Sequence, residues 1–246
     1  MKVHLSRWVC GEVAANLERC AAEAAAAARA GADWAVFPES FLAGYTRTAE
    51  PAAARRLFAG LSADHPATVF FFGSFTEERR NRMTVWRGGA EVARYDKVHL
   101  FEPNHERRLW DPGDRYAAVD LGAARVGLIN CNDLRFPEQA RSLVLKGCCT
   151  ALVAVAWWPW RRDHVWRTLL RARAVENGVF VLGCCVAASD SPKEPFAGAG
   201  NYVFDPDGEP VRTPDDCSYT LEIPRRKPLL VDPREGSVDI ARIEEF

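Results

Sequence analysis

The chain alternates between segments with a strand pattern and segments with a helical pattern. An alanine-rich helical pattern over residues 13–30 stops at Gly31, a residue type that readily adopts the positive φ found at helix ends. Further helices are predicted over residues 136–146 and 163–177, the latter capped by Asp163. The apolar runs predict strands over residues 34–37, 68–75, 150–156 and 179–187. This alternation predicts an α/β fold.

Two hairpin signals add antiparallel pairs to this pattern. Gly88-Gly89 lies between the strand-like residues 83–87 and 91–95, and Asp207-Gly208 lies between residues 202–204 and 209–212. Hairpins in an α/β chain predict a mixed sheet. Because no repeat or linker interrupts the pattern, we predict one domain over residues 1–246. Its proline-rich, charged end is predicted to form an arm from about residue 224.

Composition narrows the classes of partner and compartment. The chain is 48% hydrophobic, and 32 Lys and Arg residues face 33 Asp and Glu residues, which argues against nucleic acid or an anionic membrane as a partner. The longest apolar stretch, residues 148–160, contains a proline and is shorter than the roughly 20 residues that span a bilayer. The eight cysteines form no C-x-x-C pair, and no signal peptide is evident, so we predict a cytoplasmic protein without a bound metal.

Three strand-like segments lead into side chains that could carry chemistry: Glu39, Lys97 and Cys131. In α/β sheets ligands bind beyond the carboxyl ends of strands, so these side chains could converge. A thiol becomes a strong nucleophile through a nearby base and cation, which Glu39 and Lys97 would supply. Free N–H groups near Asn132 and Asp133 could then stabilise negative charge. From the pattern alone, each side chain is better explained as a structural residue: Glu39 as a helix-start acid, Lys97 as a solvated charge at a strand end and Cys131 as a small core residue.

At these residues the sequence resembles a known family. The motifs FPESFLAGY (37–45), YDKVHLF (95–101) and CNDLRFPE (131–138) are similar to the three signature segments of the nitrilase superfamily, carbon–nitrogen hydrolases with a Glu-Lys-Cys triad. WDPGD (110–114), WRTLLRARAVEN (166–177) and NYVFDPDGEPV (201–211) extend the resemblance to residues 1–223. It implies a four-layer αββα sandwich that assembles as a homodimer or a higher homo-oligomer.

The resemblance also implies a role for each site residue. Cys131 would be the nucleophile, Glu39 the general base, and Lys97 the cation that stabilises the oxyanion together with the backbone N–H of Asn132. Glu106 matches the family's second glutamate, which orients the lysine and the substrate; Glu102 is the alternative. Such an enzyme forms a thioester, releases ammonia and needs no cofactor.

Within the superfamily the chain most resembles the ω-amidase-like branch, which hydrolyses the terminal amide of 2-oxoglutaramate and related monoamides. Asn132 stands where that branch commonly has tyrosine, and residues 199–201 replace its usual glycine-serine, so an N-carbamoyl amide or a nitrile stays open as substrate. The candidate substrate-binding residues are Tyr45, Phe101, Arg135, Trp157 and Trp158. Arg135 or Arg161-Arg162 could bind a substrate carboxylate, although ion pairs with Glu138 or Asp163 would explain these arginines equally well.

Two hypotheses lie outside this assignment. A cysteine-histidine hydrolase would use His99, His105 or His164 as the base, and a silent scaffold would keep the fold without the reaction. The remaining cysteines are predicted to be structural. Cys148-Cys149 and Cys184-Cys185 in particular are expected in strands, with neighbours on opposite faces of the sheet.

Overall fold

The computed structural model describes residues 1–191 and 194–224. The described strands are β1 Lys2–Leu5, β2 Val9–Cys10, β3 Trp34–Val36, β4 Val69–Glu77, β5 Arg80–Arg87, β6 Ala90–Asp96, β7 Ala118–Asp120, β8 Arg125–Asn130, β9 Ala151–Ala156, β10 Phe180–Cys185, β11 Ala188–Ser189, β12 Phe196–Ala197, β13 Tyr202–Phe204, β14 Pro210–Val211 and β15 Ser218–Thr220. The α-helices are α1 Val13–Arg29, α2 Pro51–Asp64, α3 Pro137–Leu145 and α4 Asp163–Asn177. Short 3-10 helices cover Glu102–Asn104, Glu106–Arg108, Cys131–Arg135 and Trp160–Arg162.

The strands form two six-stranded sheets of equivalent design. The first has the order β15-β1-β3-β4-β5-β6 and the second the order β14-β13-β10-β9-β8-β7. In each sheet three neighbouring strands are parallel and the flanking pairs are antiparallel. A third, small sheet joins β2, β11 and β12. The carboxyl ends of the parallel strands therefore place several loops at one end of each sheet.

Alternation along the strands produces three apolar layers. Phe71 points into the core between the two sheets, whereas its neighbours Phe70 and Phe72 point to the outer face, which α1 and α2 cover. On the second sheet Val153 lies in the inner core and Leu152 in the outer core, beneath α3 and α4. The order of layers is thus helix, sheet, sheet, helix, which confirms the predicted αββα sandwich.

The helices bury the stripe that their sequences provide. In α1 the buried positions Cys20, Ala24 and Ala27 recur once per turn, and α2 buries Ala54, Phe58 and Leu61 with the same spacing. The sequence prediction placed α1, α3, α4 and the strands that it named within three residues of their observed ends. It missed α2 and the strands β1, β2, β7, β11, β12 and β15. No helix among the described residues is long and apolar enough to cross a membrane.

Two local predictions were wrong. Arg162, not Asp163, occupies the N-cap of α4; the Asp163 carboxylate instead accepts hydrogen bonds from Gly200 N (2.9 Å) and Tyr202 Oη (2.8 Å). Cys148 is exposed at φ 53°, because the chain must turn between α3 and β9 before it re-enters the sheet. Cys184 and Cys185 do lie in a strand on opposite faces, as predicted. The predicted arm, apart from its start at 224, lies outside the described residues.

Candidate active site

Three loops at the strand ends bring Glu39, Lys97 and Cys131 together. Glu39 follows β3 by three residues, Lys97 follows β6 directly, and Cys131 follows β8 directly. The Nζ of Lys97 lies 2.8 Å from Oε1 of Glu39, and both side chains are fully buried. Both charges act on the Cys131 thiol, which is 7% exposed. The convergence expected from the strand ends is therefore present.

The Glu39 carboxylate accepts hydrogen bonds from three separate elements. Its Oε1 accepts from Lys97 Nζ and from Asn81 Nδ2 at 3.0 Å, and its Oε2 accepts from the backbone N–H of Trp157 at 2.8 Å. Three donors around one carboxylate fix its rotamer. The sequence analysis named neither Asn81 nor the Trp157 N–H in this role.

Glu106, and not Glu102, lies beside the lysine. Its carboxylate is 2.9 Å from Lys97 Nζ and accepts hydrogen bonds from Phe101 N at 2.8 Å and Tyr45 Oη at 3.1 Å. Glu102 is exposed and pairs with Arg107. The buried ammonium of Lys97 is thus held between two buried carboxylates.

The backbone has a positive φ at Cys131 and at a residue adjacent to Glu39 and to Glu106. Cys131 itself has φ 52°, Ser40 after Glu39 has φ 49°, and His105 before Glu106 has φ 53°. Such left-handed conformations are uncommon for residues other than glycine and recur at functional sites. The 3-10 helix begins at Cys131 itself, so the N–H of Asn132 lies in its first turn, where backbone donors have no partner within the helix.

Burial and neighbouring charges set the protonation states. Burial raises the pKa of the Cys131 thiol well above its ordinary value, and the Glu39 carboxylate raises it further. Burial alone would lower the pKa of Lys97, but the carboxylates of Glu39 and Glu106 outweigh burial and raise it. Burial also raises the pKa of Glu106, against the effect of Lys97. The resting site therefore holds a protonated thiol beside a charged lysine.

The thiol opens into a cavity of about 690 Å³ that contains all five predicted substrate-binding residues. The wall is aromatic: Tyr45 packs edge-on against Trp157 with ring centroids 5.6 Å apart, and Phe196 contacts Trp157 at 5.0 Å. The guanidinium of Arg135 lies 4.7 Å from the ring centre of Trp158. Phe101, the fifth predicted residue, also lines the cavity.

The cationic side of this cavity is formed by Arg108, Arg135, Arg161 and Arg162. Among the described residues, no ion pair involves Arg135, Arg161 or Arg162; the predicted partner Asp163 contacts Gly200 and Tyr202 instead. Within the described part of the chain, the ion-pair explanation for these arginines is therefore not realised.

Four tryptophans lie close together in the sequence, at positions 157, 158, 160 and 166, and they differ in burial. Trp166 is fully buried in the outer core of the second sheet and donates from Nε1 to Gly200 O at 3.0 Å. Trp160 is 66% exposed. Only Trp157 and Trp158 of this cluster line the cavity, as the sequence analysis favoured.

Comparison with known proteins identifies the family. A sequence model of the carbon–nitrogen hydrolases matches residues 4–223. The chain belongs to the carbon–nitrogen hydrolase family. This confirms the resemblance to the nitrilase superfamily, and the fold agrees. A structure of Saccharomyces cerevisiae Nit3, a member of branch 10 of the nitrilase superfamily, matches with a TM-score of 0.75 over 86% of this chain and 84% of that chain, at 24% identity. An amidase from Nesterenkonia sp. matches with a TM-score of 0.76 over 86% and 84%, also at 24% identity.

Curated relatives of this carbon–nitrogen hydrolase include proteins named as amidases. Hydrolase C26A3.11 of Schizosaccharomyces pombe is 29% identical over 82% of this chain and 68% of that protein. Omega-amidase YafV of Escherichia coli K12 is 35% identical over 55% of this chain and 51% of that protein. The 2-oxoglutaramate amidase of Bacillus subtilis 168 is 34% identical over 60% of both. The chain thus spans between about half and two thirds of the length of these relatives.

The alternative bases of a cysteine-histidine enzyme occupy other positions. Nδ1 of His99 lies 2.8 Å from Oδ1 of Asp133, and its ring stacks on Phe136 at 3.8 Å. His105 lines the cavity beside Glu106. The charged groups that most affect the pKa of the Cys131 thiol are Glu39, Lys97 and Glu106, and no imidazole is among the described causes.

Proposed function

We propose that this carbon–nitrogen hydrolase cleaves the terminal amide of a small carboxylic acid through a thioester on Cys131. The observation that supports the proposal most is the buried Lys97 held between Glu39 and Glu106, next to a thiol at an open cavity. A cation fixed in a water-poor site stabilises an oxyanion far better than it would in water.

The first half-reaction would transfer the acyl group to sulfur. Glu39 accepts the proton of the Cys131 thiol as sulfur attacks the amide carbon, and the carbonyl oxygen becomes an oxyanion held by Lys97 and the Asn132 N–H. Collapse of this intermediate breaks the carbon–nitrogen bond. Glu39 returns the proton to the leaving nitrogen, and ammonia departs.

The second half-reaction would regenerate the thiol. A water molecule gives a proton to Glu39 and attacks the thioester carbon, and the same donors hold the second oxyanion. When the carbon–sulfur bond breaks, the proton passes back to Cys131, and the carboxylic acid is released. Water is the only co-reactant in this scheme.

For the substrate we propose an ω-amide of a small dicarboxylic acid. The arginines of the cavity supply cations for a second carboxylate, and Arg135 is oriented by its contact with Trp158. The relatives named omega-amidase and 2-oxoglutaramate amidase favour the same class. An N-carbamoyl amide and a nitrile are the alternatives, and comparing hydrolysis of the three classes distinguishes them.

The test of the reaction uses two variants and intact-protein mass spectrometry. Cys131→Ala is expected to abolish hydrolysis, and brief incubation of the wild type with substrate is expected to add an acyl mass to Cys131. Glu39→Gln, which cannot accept the thiol proton, is expected to lose at least 1,000-fold in kcat/KM, about 4 kcal/mol of barrier. Hydrolysis by Cys131→Ala would refute the mechanism.

Two further hypotheses have direct tests. A silent scaffold predicts that Cys131 reacts with an alkylating reagent no faster than an ordinary buried thiol and that no amide is hydrolysed. The homodimer or higher homo-oligomer and the cytoplasmic location, both implied at the sequence level, stay predictions; ultracentrifugation measures the first and cell fractionation the second.

A further inference from the structure

Two buried asparagines connect Glu39 to the end of β8, the strand that leads into Cys131. Asn81 in β5 donates from Nδ2 to Glu39 Oε1 at 3.0 Å, and its Oδ1 accepts a hydrogen bond from Asn130 Nδ2 at 3.1 Å. Asn130 is the last residue of β8 and directly precedes Cys131. Asn81 is 1% exposed and Asn130 is fully buried. The chain of contacts therefore runs from Asn130 through Asn81 to Glu39, inside the protein.

In this series of hydrogen bonds, each amide group must point its NH₂ toward the next acceptor. A carboxylate only accepts hydrogen bonds, so Asn81 contacts Glu39 favourably only when its NH₂ group, and not its oxygen, faces the carboxylate. Asn130 presents an NH₂ group to the other end of the Asn81 amide and thereby requires the oxygen to lie there. A flipped Asn81 amide would face Asn130 donor to donor and Glu39 acceptor to acceptor. Asn130 thus fixes the orientation in which Asn81 serves Glu39.

Asn81 and Asn130 lie in different sheets, so their hydrogen bond links the two halves of the sandwich. β5 belongs to the first sheet and β8 to the second, so the Asn81–Asn130 hydrogen bond crosses from one sheet to the other. The backbone oxygen of Asn81 also accepts from Lys97 N at 3.0 Å. Asn81 therefore contacts two members of the triad and, through Asn130, is coupled to the backbone of the third.

We propose that Asn81 and Asn130 are positioning residues for the reaction: Asn130 orients the Asn81 amide, and Asn81 holds the Glu39 carboxylate in place beside the Cys131 thiol. The proposal rests on the proposed role of Glu39 as the general base. Neither asparagine lines the cavity. Their effect on catalysis acts through the carboxylate, and the pH dependence of the reaction reports it.

The first test replaces Asn81 by leucine, which keeps the approximate size and removes the donor. Without that hydrogen bond the negative charge on the Glu39 carboxylate is less stabilised. The acid limb of kcat/KM for a small ω-amide is expected to move up by about one pH unit, and kcat is expected to fall about 10-fold with less than about a threefold change in KM. If Asn81→Leu does not fold, Asn81→Asp keeps the shape, removes the donor and predicts a shift in the same direction.

The second test separates positioning from packing. Asn130→Leu is expected to move the acid limb in the same direction but less far, because Asn81 keeps its place and loses only the group that orients it. In the double variant, Asn130→Leu is expected to add nothing to the shift of the acid limb caused by Asn81→Leu, since Asn130 reaches Glu39 only through Asn81. Fully additive effects would contradict this order of action.

Asn177→Leu is the matched control. Asn177 is 1% exposed, donates from Nδ2 to Arg173 O at 2.9 Å and, like Asn130, has a buried Oδ1 without a partner among the described residues. Its replacement is expected to leave the pH profile unchanged, whatever it does to stability. The proposal is overturned if the profiles of folded Asn81 and Asn130 variants coincide with that of the wild type, or if Asn177→Leu shifts its profile equally. Loss of the proposed function itself would show separately, as hydrolysis by Cys131→Ala or full activity of Glu39→Gln.

Discussion

At the residue scale, Glu39 is held in place by two donors from distant parts of the chain, the Asn81 amide and the Trp157 N–H. Glu39, Lys97 and Cys131 could be found because each follows a strand-like run and lies in a family motif. Asn81 and the N–H of Trp157 could not, because their partner Glu39 is 42 and 118 residues away and a backbone donor leaves no trace in residue type. The left-handed φ of Cys131 is equally invisible, since cysteine gives no signal for it.

Lys97 provides the prediction that belongs to this scale. Lys97→Met is expected to abolish hydrolysis and to lower the free energy of unfolding at pH 7 by about 3–5 kcal/mol, because two buried carboxylates lose their cation. The pKa of Glu106, already raised by burial, rises further in the variant. A carboxyl group with a raised folded-state pKa costs stability as pH increases, so the deficit should shrink toward pH 4.5.

Urea denaturation across this pH range measures the effect, with Glu106→Gln as the control. Glu106→Gln leaves the Lys97–Glu39 pair intact and is expected to be less destabilising. A Lys97→Met deficit that stays constant with pH would show that lost packing, and not unpaired charge, causes it.

At the element scale, an irregularity in β4 allows the loop that carries Glu39 to pack closely against this strand. β4 shifts register between Phe72 and Ser74, and a Cβ on the intervening Gly73 would lie 1.9 Å from the backbone oxygen of Pro38. The loop that carries Glu39 therefore rests directly on the β4 backbone, and Ser74 Oγ accepts from Ser40 N at 3.0 Å. The sequence predicted the strand; the bulge and the close contact of the loop depend on tertiary packing.

Helix α2 was missed although the sequence contains the features that predict it. Pro51 stands in its first turn, and Ala54, Phe58 and Leu61 repeat at helical spacing. Gly60 interrupts the run and weakens its helical propensity, yet packing against the first sheet stabilises the helix.

Gly73→Ala is the prediction for this scale. Because the added methyl group must displace the Pro38 backbone, we expect Glu39 to move and kcat/KM to fall about 100-fold, with a loss of about 1–3 kcal/mol in stability. Gly60→Ala in α2 is the control, since a Cβ there meets nothing within 4 Å. It should keep full activity and gain about 0.5–1 kcal/mol. Equal activity of both variants would contradict the contact between the Gly73 position and the loop.

At the scale of the whole molecule, the site lies where polar contacts add to the apolar packing between the two sheets. The alternation of strands and helices predicted an α/β fold, but only the family resemblance predicted four layers. Both sheets have three parallel strands flanked by antiparallel ones, so the periodicity does not reveal that there are two sheets. At the end of the sandwich that holds the site, polar contacts cross between the halves. Tyr95 in β6 donates from its hydroxyl to Asp133 Oδ2 at 2.8 Å, just beyond Cys131.

Tyr95→Phe measures what this polar bridge contributes to the molecule. The buried hydroxyl also accepts from Gln139 Nε2 at 3.0 Å, at the start of α3, so its loss leaves the Asp133 carboxylate and the Gln139 amide short of a partner. We expect the free energy of unfolding to fall by about 1–3 kcal/mol and the activity to fall with it, because Asp133 also binds Asn130 N at 3.0 Å beside the nucleophile. Tyr219→Phe, in the same inner core but with no described hydrogen bond at its hydroxyl, should change stability by less than about 0.5 kcal/mol. Urea denaturation of both variants, with kcat/KM measured in parallel, decides the point. Equal losses would mean that the Tyr95 hydroxyl contributes nothing beyond packing. A loss confined to Tyr95→Phe would show that the contact at the turn after β8 also stabilises the junction of the two sheets.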